Sequence, residues 1–149
     1  MAESVSDADS IWHQPVTLEG LNAFSDETAV SHLGIEFVEI GPDFLRATMP
    51  VDARTQQPYG LLHGGASVLL AETLGSSAAN LCLDGEAQYA VGVEVNANHI
   101  RSVREGEVTG VARPLHRGRT TQVWEIRIRD DAECLVCVSR LTIAVRDRR

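Results

Sequence analysis

The chain has no lysine: the 13 residues counted as lysine or arginine are all arginine. This excludes Schiff-base chemistry and the lysine of a phosphate-binding P-loop. The patterns GxSxG, HExxH and GxGxxG are missing too, and with them the usual plans for serine hydrolysis, zinc proteolysis and dinucleotide binding. Cysteine is scarce, with three residues. The number is odd, and Cys134 and Cys137 sit inside an apolar run, so reduced thiols are the simpler reading than a disulfide framework. No run approaches the ~18 uninterrupted apolar residues of a membrane span, and the opening MAESVSDADS carries acids where a secretory leader needs bases. The expectation is a soluble, cytoplasmic protein that makes no membrane contact.

What is present suits one globular domain. The 149 residues are 44% apolar and 23% charged, enough to bury a core and too few for two well-packed units. A net charge of -8 argues against nucleic acid as a partner. The charge is unevenly placed: residues 1–100 hold 14 acids and two arginines, whereas residues 101–149 hold 11 arginines and seven acids. A polyanionic ligand should favour the second part.

Residues 1–15 lack periodicity and read as a disordered or lightly docked tail, leaving 16–149 as the domain. Thr17 is placed to cap a short helix through Phe24, with a second short turn over residues 27–33. Residues 35–40 and 44–51 pair as a hairpin around Gly41-Pro42-Asp43. Within residues 55–83, 29 residues in all, the only carboxylate is Glu72. This stretch contains a long helix over residues 64–81 that is apolar or small on nearly every side, the mark of a buried helix. Four β segments follow, over residues 89–101, 106–115, 122–129 and 134–145. The pattern predicts an α+β domain in which a curved, mainly antiparallel sheet wraps one long buried helix.

Glu72 shares its helix face with Val68, Leu69, Gly75, Ser76 and Ala79, of which only Ser76 is polar. A carboxylate there is costly unless it is bonded or put to use. At the helix start, His63-Gly64-Gly65 lets a ligand approach first-turn amides that have no partner within the helix, an oxyanion hole in outline. A structural glutamate and a simple tight turn are the alternatives. Gly64 and Glu72 are eight residues apart, about 12 Å along the axis, so both cannot readily contact one small reacting group. Two antiparallel helices of a symmetric dimer would bring Gly64 of one beside Glu72 of the other.

The run Pro58-Tyr59-Gly60-Leu61-Leu62-His63-Gly64-Gly65-Ala66-Ser67, followed by Leu70-Ala71-Glu72-Thr73-Leu74-Gly75-Ser76, resembles the hotdog-fold acyl-CoA thioesterases. The resemblance is to the branch that includes one type of 4-hydroxybenzoyl-CoA thioesterase, the 1,4-dihydroxy-2-naphthoyl-CoA thioesterases and the enterobactin proofreading enzymes. It extends through MPVDAR (49–54), VNANHIR (95–101), Glu105-Gly106 and Pro114-Leu115-His116. The resemblance implies that Glu72 is the catalytic carboxylate, that the Gly64 amide polarises the thioester carbonyl, and that Gln57 and His63 orient carbonyl or water. It further implies that Ser76 positions the nucleophile, that His99 lines the acyl pocket, and that Arg101 with Arg117, Arg119 and Thr120 serves coenzyme A.

The implied function is hydrolysis of an aryl- or acyl-CoA without metal or separate cofactor, coenzyme A being part of the substrate. The implied assembly is a homodimer that builds a homotetramer, with an acyl or aryl carrier protein as an alternative thioester carrier. Two other functions fit the same residues: a 3-hydroxyacyl-thioester hydratase or dehydratase using His63 and Glu72, or a non-catalytic acyl-CoA-binding protein. Elsewhere, Cys134 and Cys137 would face opposite sides of a strand, His13 and His32 read as surface residues, and Trp124 reads as sheet packing.

Overall fold

The computed structural model describes residues 9–149. Of the expected tail, residues 1–8 lie outside the described residues. Residues 9–15 are docked: Ile11 N–H donates to Pro42 O at 3.0 Å and His13 N–H to Leu81 O at 2.8 Å. Trp12 Nε1–H donates to Gly41 O at 2.8 Å, and its ring stacks on Trp124 with centroids 6.5 Å apart.

Helix α1 (Leu18–Phe24) starts at Thr17, whose Oγ1 accepts the Gly20 N–H at 3.1 Å. Thr28 and Ser31 cap each other around the one-turn α2 (Ala29–His32). Strands β1 (Glu36–Ile40) and β2 (Leu45–Pro50) form the expected hairpin. Helix α3 (Gly64–Leu81) is followed by β3 (Gln88–His99), β4 (Glu107–Arg117), β5 (Thr121–Arg129) and β6 (Leu135–Asp147). The six strands form one antiparallel sheet in the order β1-β2-β4-β5-β6-β3. The edge of β1 is covered in part by Asn22, whose Oδ1 accepts the Phe37 N–H at 2.9 Å while its Nδ2 donates to Phe37 O at 3.0 Å. Cys134 precedes β6 in a turn tied by Asp130, so only Cys137 lies in that strand.

The sheet curls around α3, which touches β2, β3, β4, β5 and β6. Small side chains let it come close. Ala66, Ala71, Gly75, Ala78 and Ala79 are buried, and a Cβ on Gly75 would stand 2.6 Å from Leu141 Cδ2. Leu70 and Leu74 fill the space left, and a Cβ on Gly110 of β4 would stand 2.7 Å from Leu74 Cδ1. The expectation that α3 is buried on every side needs correcting. Val68, Leu69, Glu72, Thr73 and Ser76 form a stripe, at three- and four-residue spacing, that is only half-buried in the single chain. One sheet covers one side of a helix, and the remaining side stays open.

Strand β3 runs antiparallel to α3 and is the other edge of the sheet. Asn80, in the last turn of α3, holds it there: its Oδ1 accepts the Ala90 N–H at 2.9 Å and its Nδ2 donates to Ala90 O at 3.2 Å. A bulge falls between Gly92 and Glu94. Ala90 and Gly92 before it, and Val95, Ala97 and His99 after it, all pair with the same odd-numbered face of β6. A regular strand would send positions 92 and 99 to opposite faces. The bulge turns both toward the helix.

Leu74 is fully buried between α3 and the sheet, so Leu74→Ala should cost about 2–5 kcal/mol in transfer and cavity terms. Urea unfolding should show the midpoint fall with an unchanged slope.

Candidate active site

The start of α3 is built by the loop before it. Leu62 N–H donates to Val103 O at 2.7 Å and His63 N–H to Thr55 O at 2.8 Å, which fixes the entry of the chain. His63 takes an extended backbone, and its Nδ1 accepts the Gly65 N–H at 2.8 Å, so the imidazole serves as the helix N-cap. Ala66 and Ser67 donate to His63 O. The Gly64 N–H has no acceptor among the described residues, and the positive end of the helix dipole adds to its pull on an oxygen.

Gly64 forms the floor of a cavity of about 310 Å³ that also touches Gln57, Ser67, His99, Ile100 and Arg101. A Cβ on Gly64 would stand 2.8 Å from His99 Nε2, so the glycine lets the imidazole close over the helix start. Gln57 Oε1 accepts from Tyr59 N–H, and its backbone N–H donates to Leu61 O at 2.8 Å. The carboxamide oxygen thus organises the loop, leaving the Nε2 hydrogens as donors. Arg101 carries no ion pair among the described residues.

Glu72 lies elsewhere. It sits on the half-open stripe of α3, with Ser76 one turn beyond, and a Cβ on Gly92 would stand 2.7 Å from its Oε1. Neither an ion pair nor a side-chain hydrogen bond holds the carboxylate among the described residues. Arg117, which ends β4, and Arg119 and Thr120 in the turn to β5 form a third, exposed group. Arg117 is beside Cys82, the C-cap of α3, at the far end of the helix from Gly64. One chain therefore brings Gln57, Gly64, His99 and Arg101 together and keeps Glu72 with Ser76, and Arg117 with Arg119 and Thr120, apart from them.

The arginine excess is partly spent on the outer face of the sheet. Arg46 pairs with Glu39 at 3.2 Å, Arg113 with Asp43 at 2.9 Å and Arg127 with Glu125 at 2.6 Å. Arg101, Arg117 and Arg119 remain available to an anion. Reading by residue type missed Ser67, the buried hydroxyl of the cavity, and Gly92 against the carboxylate. The alternation of Val91, Val93 and Val95 runs unbroken past the glycine, so the bulge that gives Gly92 its place left no signal in the sequence. Trp124 is a packing residue, fully buried with Nε1–H donating to Gln122 Oε1 at 2.8 Å, and His13 and His32 are exposed.

Residues 59–137 match the Thioesterase superfamily. The chain is 58% identical over 135 residues to the 1,4-dihydroxy-2-naphthoyl-CoA hydrolase of Escherichia coli, covering 91% of this chain and 98% of that protein. It is 56% identical over 135 residues to a proofreading thioesterase of Cronobacter turicensis, again covering 91% and 98%. Among solved structures, a thioesterase of Haemophilus influenzae superposes with a TM-score of 0.90 at 53% identity, over 92% of this chain and 95% of that one.

Burial pushes the Cys82 thiol up from 9.0 to about 11, and the Arg117 guanidinium beside it pulls the other way. A thiol that ionises later in the folded state contributes stability that is whole below pH 9.0 and lost as pH rises toward about 11. Thermal unfolding at stepped pH should show this decline, and Cys82→Ala should lessen it. Burial also raises the Cys137 thiol, so part of the decline should survive.

Proposed function

Because the chain belongs to the Thioesterase superfamily, with the hotdog fold and thioester hydrolysis that membership brings, we propose that it hydrolyses an aryl- or acyl-CoA at sites shared by two protomers. The observation that carries this reading is the separation of two groups on one helix. The free Gly64 N–H faces the cavity, while Glu72 lies about 12 Å along α3 on its half-open side. Placing two α3 helices side by side and antiparallel brings the partner's Glu72 to the Gly64 cavity. The two-fold axis then passes near Val68, midway between Gly64 and Glu72 and at the N-terminal end of the stripe that the sheet leaves open. The edge strand β3 offers further surface, with Val91 41% and Val93 58% exposed.

In such a site the thioester oxygen accepts the Gly64 N–H, with the Gln57 amide as second donor, and negative charge developing on that oxygen is stabilised by the helix terminus. The partner's Glu72, steadied by Ser76 of the same helix, either removes a proton from water as water adds to the carbonyl carbon, or adds itself and is released by water. The direct route forms one C–O bond and breaks the C–S bond; the covalent route does the same to give a mixed anhydride, whose acyl–O bond to Glu72 breaks as water forms the second C–O bond. In both, water is consumed, its proton reaches the departing sulfur, and acid and thiol are left. His63 shapes the helix start through its cap, and His99 borders the acyl group.

Ten residues separate Glu72 from Cys82, about 15 Å of helix, so the Arg117 and Arg119 end of the partner lies beyond the cavity, where the phosphates of an extended pantetheine carrier would reach. Arg101 and Thr120 complete the anion-binding set. The carrier is coenzyme A in this reading, with an acyl or aryl carrier protein as the alternative. The chemistry is complete with these side chains and assigns no metal or further cofactor. The assembly is a dimer that pairs into a tetramer, working in the cytoplasm. A hydratase would need His63 as a base, whereas its Nδ1 accepts the Gly65 N–H and the neutral ring then carries its proton on Nε2.

Replacing Glu72 with Gln keeps size and removes charge, so kcat for benzoyl-CoA should fall at least ~100-fold, followed as free thiol. Full activity in a folded Glu72→Gln protein would end this reading. Mixing that inactive protein with an inactive Gly64→Val variant should restore activity, since each heterodimer holds one site with both native halves. Mass measurement must show that mixed dimers formed, and verified heterodimers as inactive as their parents would rule out the shared site.

A further inference from the structure

The contact between Gly92 and Glu72 extends the proposed mechanism to a residue on another element. On the half-open side of α3, the Glu72 carboxylate has no ion pair or side-chain hydrogen bond among the described residues to fix its direction. What it does meet is the backbone of β3. An alanine at position 92 would put its Cβ 2.7 Å from Glu72 Oε1, closer than non-bonded atoms stand, while the next neighbours, Leu141 Cδ1 at 3.6 Å and Glu72 Cδ at 3.7 Å, are in ordinary contact. The crowding falls on one atom, the tip of a flexible side chain.

Gly92 is not among the residues with positive φ, so alanine suits its backbone. The glycine is therefore not needed for the chain to turn. It is also not needed for the core, because an added methyl would fit against Leu141 and Ile143 is its partner across β6. What the missing side chain does is leave room for the carboxylate. The bulge supplies the direction: Gly92 faces α3 on one side of it, and His99 faces Gly64 on the other, although seven positions separate them. Glycines inside strands often mark such bulges or close approaches.

We propose that Gly92, set by the β3 bulge, is a positioning residue for catalysis: its bare backbone is the wall against which the Glu72 carboxylate is aimed. This rests on the reading of Glu72 as the catalytic carboxylate. The effect runs through Glu72 alone. An added methyl moves the carboxylate, not the fold, and a displacement of the order of 1 Å at a reacting group costs up to about 100-fold in rate.

The test compares four proteins as assembled enzymes, with native mass and thermal unfolding checked for each: wild type, Gly92→Ala, Glu72→Asp and the double variant. Gly92→Ala should fold and assemble as wild type does, lose about 10- to 100-fold in kcat and keep its KM. Glu72→Asp is one methylene shorter and withdraws from the added methyl. In that background Gly92→Ala should therefore change kcat by no more than about twofold, a non-additivity that a merely structural glycine would not produce.

Three results would overturn the proposal: a folded Gly92→Ala with wild-type kcat, an equal fractional loss in both backgrounds, or a Gly92→Ala protein that fails to fold. The last would show that the methyl meets more than the carboxylate. Glu72→Gln separates this inference from the reading beneath it. A fully active Glu72→Gln overturns both, whereas an inactive Glu72→Gln beside a fully active Gly92→Ala overturns only the role of the glycine.

Discussion

How closely the sheet can approach α3 governs the rest of the molecule. The helix presents alanine and glycine where the strands cross it, and leucine only at Leu70 and Leu74, where Gly110 makes room. Burying each of those leucines contributes about 1.5–3 kcal/mol, and five strands share the contact. A sheet drawn in this tightly must curl, and its curl leaves α3 lying in a trough with one long side uncovered. The position of Glu72 on that uncovered side follows from the packing, since the covered side has no room for a carboxylate and no partner for its charge.

The chemistry divides along the same line. An amide at a helix N-terminus is an electrostatic device that works where it stands, because its neighbours are fixed by the Thr55, Val103 and His63 hydrogen bonds. A carboxylate in the third turn ends a flexible side chain whose direction no ion pair fixes among the described residues. The first belongs to the loop and helix start, the second to the contact between α3 and β3. Each depends on a glycine that admits a neighbouring side chain: Gly64 under His99 and Gly92 against Glu72.

The helices were legible from sequence because their ends carry local signals. Thr17 caps α1, and Gly64-Gly65 and Asp84-Gly85 bracket α3, whose limits fall where the pattern puts them. Most strands were legible through alternation, with ends that moved by a few residues. Residues 10–15 have no period, so the docking of Trp12 on Trp124 could not be read from them; it depends on a partner more than 100 positions away. The ion pairs that occupy Arg46, Arg113 and Arg127 depend on strand register, which residue counting does not contain. Glu72 and Gly64 stood out because a lone carboxylate in an apolar helix and two glycines at its start are unusual in themselves. Gly92 did not, since a glycine in a β segment acquires meaning only from what approaches it.

The bulge in β3 gives that strand a reading frame. Up to Gly92 the even positions look at the helix, and from Val95 onward the odd ones do. Were a residue gained or lost between the two, every side chain beyond would change sides: Asn98 would face the helix start in place of His99, and Ala97 would leave the core for solvent. Length is thus constrained here more strictly than composition. In comparing relatives, alignment gaps within this strand carry more structural weight than substitutions do, and a chain that keeps Gly64 and Glu72 but shifts this count would hold the same amide and carboxylate around a differently walled cavity.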